Sequence, residues 1–348
     1  MKNVSYYVTK IVVVVILFFT FRKRNLINKN RIPKKDPVIF LPNHQNALVD
    51  AIMIAPLIKR QVHFMTRADV FKNPLIGRYL RSINMFPIYR LRDGRDQLAK
   101  NAEIIEQCAD LLLEGGVLQI FPEGNHHTDR RVRNFKNGFI EIAFLALDKN
   151  PNLPLKLIPT GLNYDSRQRF SAQVNIIFGE PINVREYYDP AHPKESMSRL
   201  NAAVSAQVKT LTTHIEPKED YKEIHDHLVA KGIDFLDPAA ANELVKSKQF
   251  SGSKGPRRKK TLWGLFIYYL FLVLNIVPLS LWWSRKKKIK DPAFIYTMRL
   301  VFIGVVFPLF YLLVGWAIAH FWGPIYCLAY LGFSIFLGFL RKRLPYWY

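Results

Sequence analysis

Val38-Ile39-Phe40-Leu41-Pro42-Asn43-His44-Gln45-Asn46-Ala47-Leu48-Val49-Asp50 changes character in its middle. The apolar run ending at Pro42 reads as a buried strand, and the stretch from Val49 to Lys59 reads as a helix. Between them stands a histidine, with a carboxylate in what would be the first helical turns. A strand feeding a helix through a polar loop is the building unit of an α/β domain, and such loops carry function. A neutral imidazole takes a proton from an alcohol, and a carboxylate on its other nitrogen fixes the tautomer. A histidine at a helix start beside an acidic cap would give the same letters without chemistry. The pair therefore needs partners elsewhere in the chain.

Outward from this stretch the pattern repeats. Short apolar runs at Val62–Met65, Phe86–Tyr89, Val117–Phe121, Leu155–Pro159 and Val174–Phe178 read as strands. Leu75–Ser82, Asp93–Glu114 and Lys136–Leu147 read as helices; in the last, Phe139, Ile140, Ala143, Phe144 and Leu147 mark one apolar face. The runs are continuously apolar rather than alternating, which is expected of parallel strands covered on both faces. The expectation is an α/β domain over residues 30–218, with a mixed, largely parallel sheet flanked by helices. A polar helical segment and a linker around Ser251–Pro256 follow over residues 219–260.

Both ends of the chain are apolar. Ile11 to Phe21 falls short of the roughly 20 residues that cross a bilayer, so residues 1–29 are expected to form an anchor helix with a basic flank. Packing of that helix on the domain is the alternative. Leu262–Trp283, Leu300–His320 and Phe321–Leu340 each approach spanning length. Basic clusters flank the first on both sides, at Arg257–Lys260 and Arg285–Lys290. Positive charge stays on the cytoplasmic side, so a break near Asn275 and Pro278 into a re-entrant hairpin keeps both clusters inside. Residues 261–348 are thus expected to be a membrane region of one hairpin and two spanning helices, with the α/β domain on the cytoplasmic face.

Fifty Lys and Arg against 27 Asp and Glu give a formal charge of +23, which calls for acidic partners. The basic clusters hug apolar segments, as in membrane proteins, and no nucleic-acid motif is present. The partner expected is therefore a phospholipid membrane and no nucleic acid. Cys108 and Cys327 form neither a disulfide framework nor a metal spacing. His126-His127-Thr128-Asp129 and His225-Asp226-His227 lack spaced ligands, so no metal is expected. Nothing in the sequence sets an oligomeric state.

Three further stretches sit at strand ends. Phe86-Pro87-Ile88-Tyr89-Arg90 ends in a fixed charge suited to phosphate, or simply to solvent. Phe121-Pro122-Glu123-Gly124-Asn125 turns a carboxylate outward, and Arg130, Arg131, Arg133 and Lys136 follow it. Those cations suit a phosphate-bearing substrate or lipid headgroups equally. Leu157-Ile158-Pro159-Thr160-Gly161 is an apolar strand containing proline.

In order and spacing, these four blocks resemble the glycerophospholipid acyltransferase superfamily, the lysophosphatidate and glycerol-3-phosphate acyltransferases, over roughly residues 35–185. The resemblance implies an O-acyltransferase of the 1-acylglycerol-3-phosphate type in phospholipid synthesis. It implies His44 as general base and Asp50 as its orienter. It places Arg90, Glu123 and Gly124 around the acceptor, with Pro159 near the acyl or acceptor site; Asn125 and the basic loop at Arg130 and Arg131, read from the residues themselves, are expected beside them as substrate-binding. No cofactor is implied; the co-substrate is an acyl-CoA or acyl carrier protein, and the acceptor a phosphorylated glycerol. Acylation of another lyso-lipid, or a silent fold that only binds lipid, are the alternatives. Two departures stand out. Five residues separate His44 from Asp50 where four are usual, so contact requires His44 in the loop and Asp50 early in the helix. Asn125 stands where threonine is usual.

Overall fold

The computed structural model describes residues 2–90, 94–166, 171–217, 219–249 and 261–344. The linker at Ser251–Pro256 and the basic run at 257–260 lie outside these residues. Among those described, an eight-stranded sheet runs β1 (Phe21–Ile27), β7 (Ala172–Phe178), β6 (Lys156–Tyr164), β2 (Val38–Pro42), β5 (Val117–Gln119), β3 (His63–Arg67) and β4 (Met85–Ile88). A short β8 (Ile182–Asn183) adds to β6. The β2, β3, β4 and β5 pairings are parallel, as is β1 with β7, whereas β7 and β8 run antiparallel to β6. The sheet is mixed and largely parallel, with helices on both faces.

Helix α3 (Pro74–Ser82) joins β3 to β4, and α4 (Arg95–Leu98) follows β4. One face carries α5 (Lys100–Leu113), α6 (Gly138–Lys149) and α7 (Pro193–Leu211), whose apolar sides form a core with Ile39, Leu41 and Leu157. Helices α8 (Tyr221–Ala230) and α9 (Pro238–Ser247) follow α7. The other face is closed by α2 (Ala47–Ala51) and by elements from both chain ends: α1 (Lys2–Thr20) and α12 (Phe294–Val301). Leu17 of α1 and Tyr296 and Leu300 of α12 join Phe40, Val49 and Ile158 in that second core.

Residues 21–27 correct the expected start of the domain. FRKRNLI was expected to be a basic flank, but it is an edge strand paired in parallel with β7. Its charges suit an edge, where unpaired backbone must be kept from other strands, and Phe21 anchors it, 1% exposed, against Tyr164 and Tyr296. The N-terminal helix is partly docked. The Tyr6 hydroxyl accepts from Val62 N (2.9 Å), and Lys10, the interruption in the apolar run, donates to Ile58 O (2.6 Å). Its opposite side leaves Val4, Val8 and Ile11 exposed.

Two helices are long and apolar enough to cross a membrane: Phe294–Trp322 and Pro324–Arg343 (α14). The first comprises α12, a π-helical turn at Phe302–Val306 and α13 (Phe307–Trp322). Ahead of them, α10 (Leu262–Leu274) and α11 (Ile276–Lys286) bend by 87° at Asn275, the geometry of a re-entrant loop or a broken span. Asn275 holds the bend, donating to Phe271 O (2.9 Å) and accepting from the Tyr311 hydroxyl (2.6 Å). The break thus falls where the sequence placed it.

Candidate active site

His44, Glu123 and Tyr164 all lie at the carboxyl ends of neighbouring strands, β2, β5 and β6, where ligands bind in open α/β sheets. The loop after β2 turns back on itself. His44 stays outside the helix, Asn46 ends the loop, and Ala47 takes φ +42°, a left-handed conformation that is strained for alanine. The turn there lets a loop of five residues bring Asp50 back to His44. It swings Asp50, fully buried, back under the loop. His44 Nδ1 lies 3.0 Å from Asp50 Oδ2, and the same oxygen accepts from Gln45 N (2.7 Å) and Asn46 N (2.6 Å). The other oxygen accepts from the Tyr164 hydroxyl at 2.6 Å. Burial and the adjacent Asp50 carboxylate hold the Tyr164 phenol well above its ordinary range, so it remains a donor. Four donors thus converge on one carboxylate. With Nδ1 committed to Asp50, Nε2 is the nitrogen turned away from it.

The imidazole is gripped from its face and its backbone. Phe121 stacks on it with ring centroids 3.9 Å apart, and Glu123 Oε1 accepts from His44 N at 3.0 Å. The other Glu123 oxygen accepts from Arg133 Nε (2.9 Å), and Arg133 also clasps Asn125, donating to its side-chain oxygen (2.6 Å) and its carbonyl. Burial pushes the Glu123 carboxyl up, and Arg133 and the His44 amide counter it. Gly124, at φ +76°, makes the turn that lets Glu123 point inward while Asn125 faces Arg133. Glu123 and Asn125 are therefore braced by the protein itself.

A second histidine meets the first. The His126 ring lies edge-on to His44 with centroids 5.7 Å apart, and its Nε2 is 2.9 Å from Asp291 Oδ2. Phe294, the first residue of α12, packs edge-on against His126 at 5.2 Å. The C-terminal region thus supplies part of the wall beside His44, across 165 residues of sequence.

The remaining expected residues are more dispersed. Arg90 follows β4, three inter-strand spacings of about 4.8 Å from β2, with its guanidinium 3.8 Å from Asp69. Arg130 is buried, donating to Tyr164 O (3.0 Å) beneath the Asp50 cage, with its guanidinium 3.6 Å above the Phe235 ring. Arg131 donates to Ile215 O (3.0 Å) and Glu216 O (3.2 Å). Arg130 thus braces the loop after β5 against β6, and Arg131 ties it to the segment after α7. Pro159 is buried in β6 opposite Leu41, three residues before His44. Four residues were missed in sequence: Phe121, Arg133, Tyr164 and Asp291. Phe121 and Arg133 lay inside stretches already singled out. Tyr164 and Asp291 carry no local signal, since fold alone brings them to the site.

Residues 23–162 match the Acyltransferase family model. A 1-acyl-sn-glycerol-3-phosphate acyltransferase of Chlamydomonas reinhardtii is 32% identical over 142 residues, 40% of this chain and 40% of that protein. A 1-acyl-sn-glycerol-3-phosphate acyltransferase of Bacillus subtilis is 26% identical over 192 residues, 54% of this chain and 88% of that one. The solved 1-acyl-sn-glycerophosphate acyltransferase of Thermotoga maritima is similar with a TM-score of 0.41 and 20% identity, covering 60% of this chain and 82% of that chain. The chain spans about two fifths of the length of several curated plant and algal relatives.

Proposed function

We propose, from the match of residues 23–162 to the Acyltransferase family model and the geometry around His44, that this protein is a glycerophospholipid acyltransferase that transfers a fatty acyl chain from an acyl thioester to a hydroxyl of a phosphorylated glycerol lipid. The donor is an acyl-CoA or acyl carrier protein. The single observation that carries the reading is the His44–Asp50 contact, 3.0 Å long, at the carboxyl ends of the central strands. His44 Nε2 takes the hydroxyl proton as the oxygen attacks the thioester carbon. The resulting imidazolium is stabilised by Asp50 through Nδ1–H, and collapse of the tetrahedral intermediate expels the thiolate, which leaves with that proton.

A cysteine acyl-enzyme finds no support. Cys108 is fully buried and its thiol is pushed up to about 12 by burial, and Cys327 lies in α14. Arg90 is proposed to meet the acceptor phosphate. Purified full-length protein should acylate lysophosphatidate or glycerol-3-phosphate from one of the two donors. Arg90→Ala should raise KM for that acceptor about tenfold or more, the worth of a charged hydrogen bond. Absence of transfer to every phosphorylated acceptor would leave only a lipid-binding fold. Transfer with an unchanged KM in Arg90→Ala would instead move the acceptor to a lyso-lipid held without that phosphate contact.

The Tyr164 hydroxyl is proposed to support Asp50. Tyr164→Phe removes a donor to a buried carboxylate, worth about 1.5–3 kcal/mol. The expected result is a 10- to 100-fold fall in kcat with KM for the donor little changed. A loss below twofold would show that Asp50 needs no help from the phenol.

A further inference from the structure

A cleft of about 610 Å³ opens between α1 and the C-terminal helices, lined by Ile16, Phe19, Tyr311, Leu331, Gly338 and Lys342 among others. Its volume falls in the usual range of ligand cavities, roughly 300–1,000 Å³, and its walls are almost wholly apolar. Among the described residues, no Asp or Glu lines it. One end is different. Arg341 and Lys342 line that end and are each only 8% exposed. Arg24 of β1 and Arg343 lie within electrostatic reach of Lys342. Lys342 rests its ammonium on the Phe18 ring, and Arg24 Nη1 is buried with no hydrogen-bond acceptor. Among the described residues, neither Lys342 nor Arg24 has a carboxylate within ion-pair distance. An ammonium and a guanidinium nitrogen such as those of Lys342 and Arg24, held close together without a carboxylate, are costly unless an anion joins them.

We propose that this cleft is a binding site for one anionic glycerophospholipid of the bilayer, in the leaflet facing the α/β domain. Hydrocarbon fills the apolar length between α1, α13 and α14. The headgroup phosphate closes the cationic end lined by Lys342 and Arg341, with Arg24 of β1 beside Lys342. Basic pockets between membrane helices recognise anionic headgroups in this way. Gly304 lets Ile16 of α1 approach so closely that a Cβ there would meet it at 2.5 Å, whereas a Cβ at Gly338 would meet Phe19 only at an ordinary 3.7 Å, so it takes a large side chain at Gly338 to fill the cleft. The site lies apart from His44 and does not depend on catalysis, so it gives the C-terminal region a task beyond anchoring.

Delipidated full-length protein in non-ionic detergent can be titrated with phosphatidylglycerol or phosphatidylcholine and the bound lipid counted by native mass spectrometry. One phosphatidylglycerol per chain should bind at least tenfold more tightly than phosphatidylcholine. The pair Arg24→Gln/Lys342→Gln should erase that preference, and Gly338→Phe, which fills the cleft, should reduce binding of both lipids at least tenfold. His44→Ala should bind as the wild type does, which separates this site from the reaction site. Melting curves on each variant identify any that fail to fold, and the other variant then decides. Equal binding of the two lipids by wild type, or wild-type binding by folded Gly338→Phe, would mean annular lipid only and overturn the proposal.

Discussion

Replacing His44 with alanine should slow acyl transfer by about 10²–10⁴-fold, the usual contribution of a positioned general base. The geometry makes the loss one of chemistry rather than of folding. The imidazole stacks on Phe121 and leans on Asp50, but the loop is held by its backbone, through Glu123 on His44 N and His127 N on His44 O. Those contacts survive in alanine. Hence kcat should collapse while the melting temperature and the KM for the acyl donor change little. Turnover within a few-fold of wild type would refute His44 as the base.

Asp50→Asn should be nearly as damaging for a different reason. One Asp50 oxygen accepts from two backbone amides and faces the imidazole, and the other accepts from Tyr164. An amide group supplies only one acceptor and presents NH₂ to donors that were formerly satisfied. Each buried donor left unpaired costs about 1–3 kcal/mol, so the left-handed turn at Ala47 loses what holds it. The variant should melt several degrees lower, at about 2–4 °C per kcal/mol for a domain of this size. Its activity should fall by about the same factor as in His44→Ala. Adding Asp50→Asn to His44→Ala should slow the reaction little further, because the two act as a unit. Multiplicative losses would show that they work separately.

Much of this site was legible in sequence because it is local to strand ends. The β2 loop, the Pro-Glu-Gly turn and Arg90 follow runs whose apolar continuity marks parallel strands. The His44–Asp50 contact was foreseeable as a loop-to-helix geometry, but its means was not: nothing in Asn46-Ala47 announces a positive φ at alanine. β1 was misread because Arg22-Lys23-Arg24 resembles a membrane flank, whereas edge strands tolerate such charge. For Arg130 and Arg131, composition cannot show that carbonyls of residues 164, 215 and 216 accept from their guanidinium groups. Tyr164 and Asp291 depend on long-range pairing, through β6 against β2 and α12 against α2, and no window of sequence contains both partners.

The Asp291–His126 contact also fixes an altitude. Asp291 precedes by three residues the helix Phe294–Trp322, which is long enough to cross a bilayer, and His126 in turn abuts His44. His44, the proposed base, is thereby tethered close to where that helix begins. For a lipid acceptor, encounter then takes place within a surface. The quantity governing turnover becomes the acceptor's mole fraction in that surface, and dilution by inert lipid slows the reaction even when the amount of acceptor per litre is unchanged.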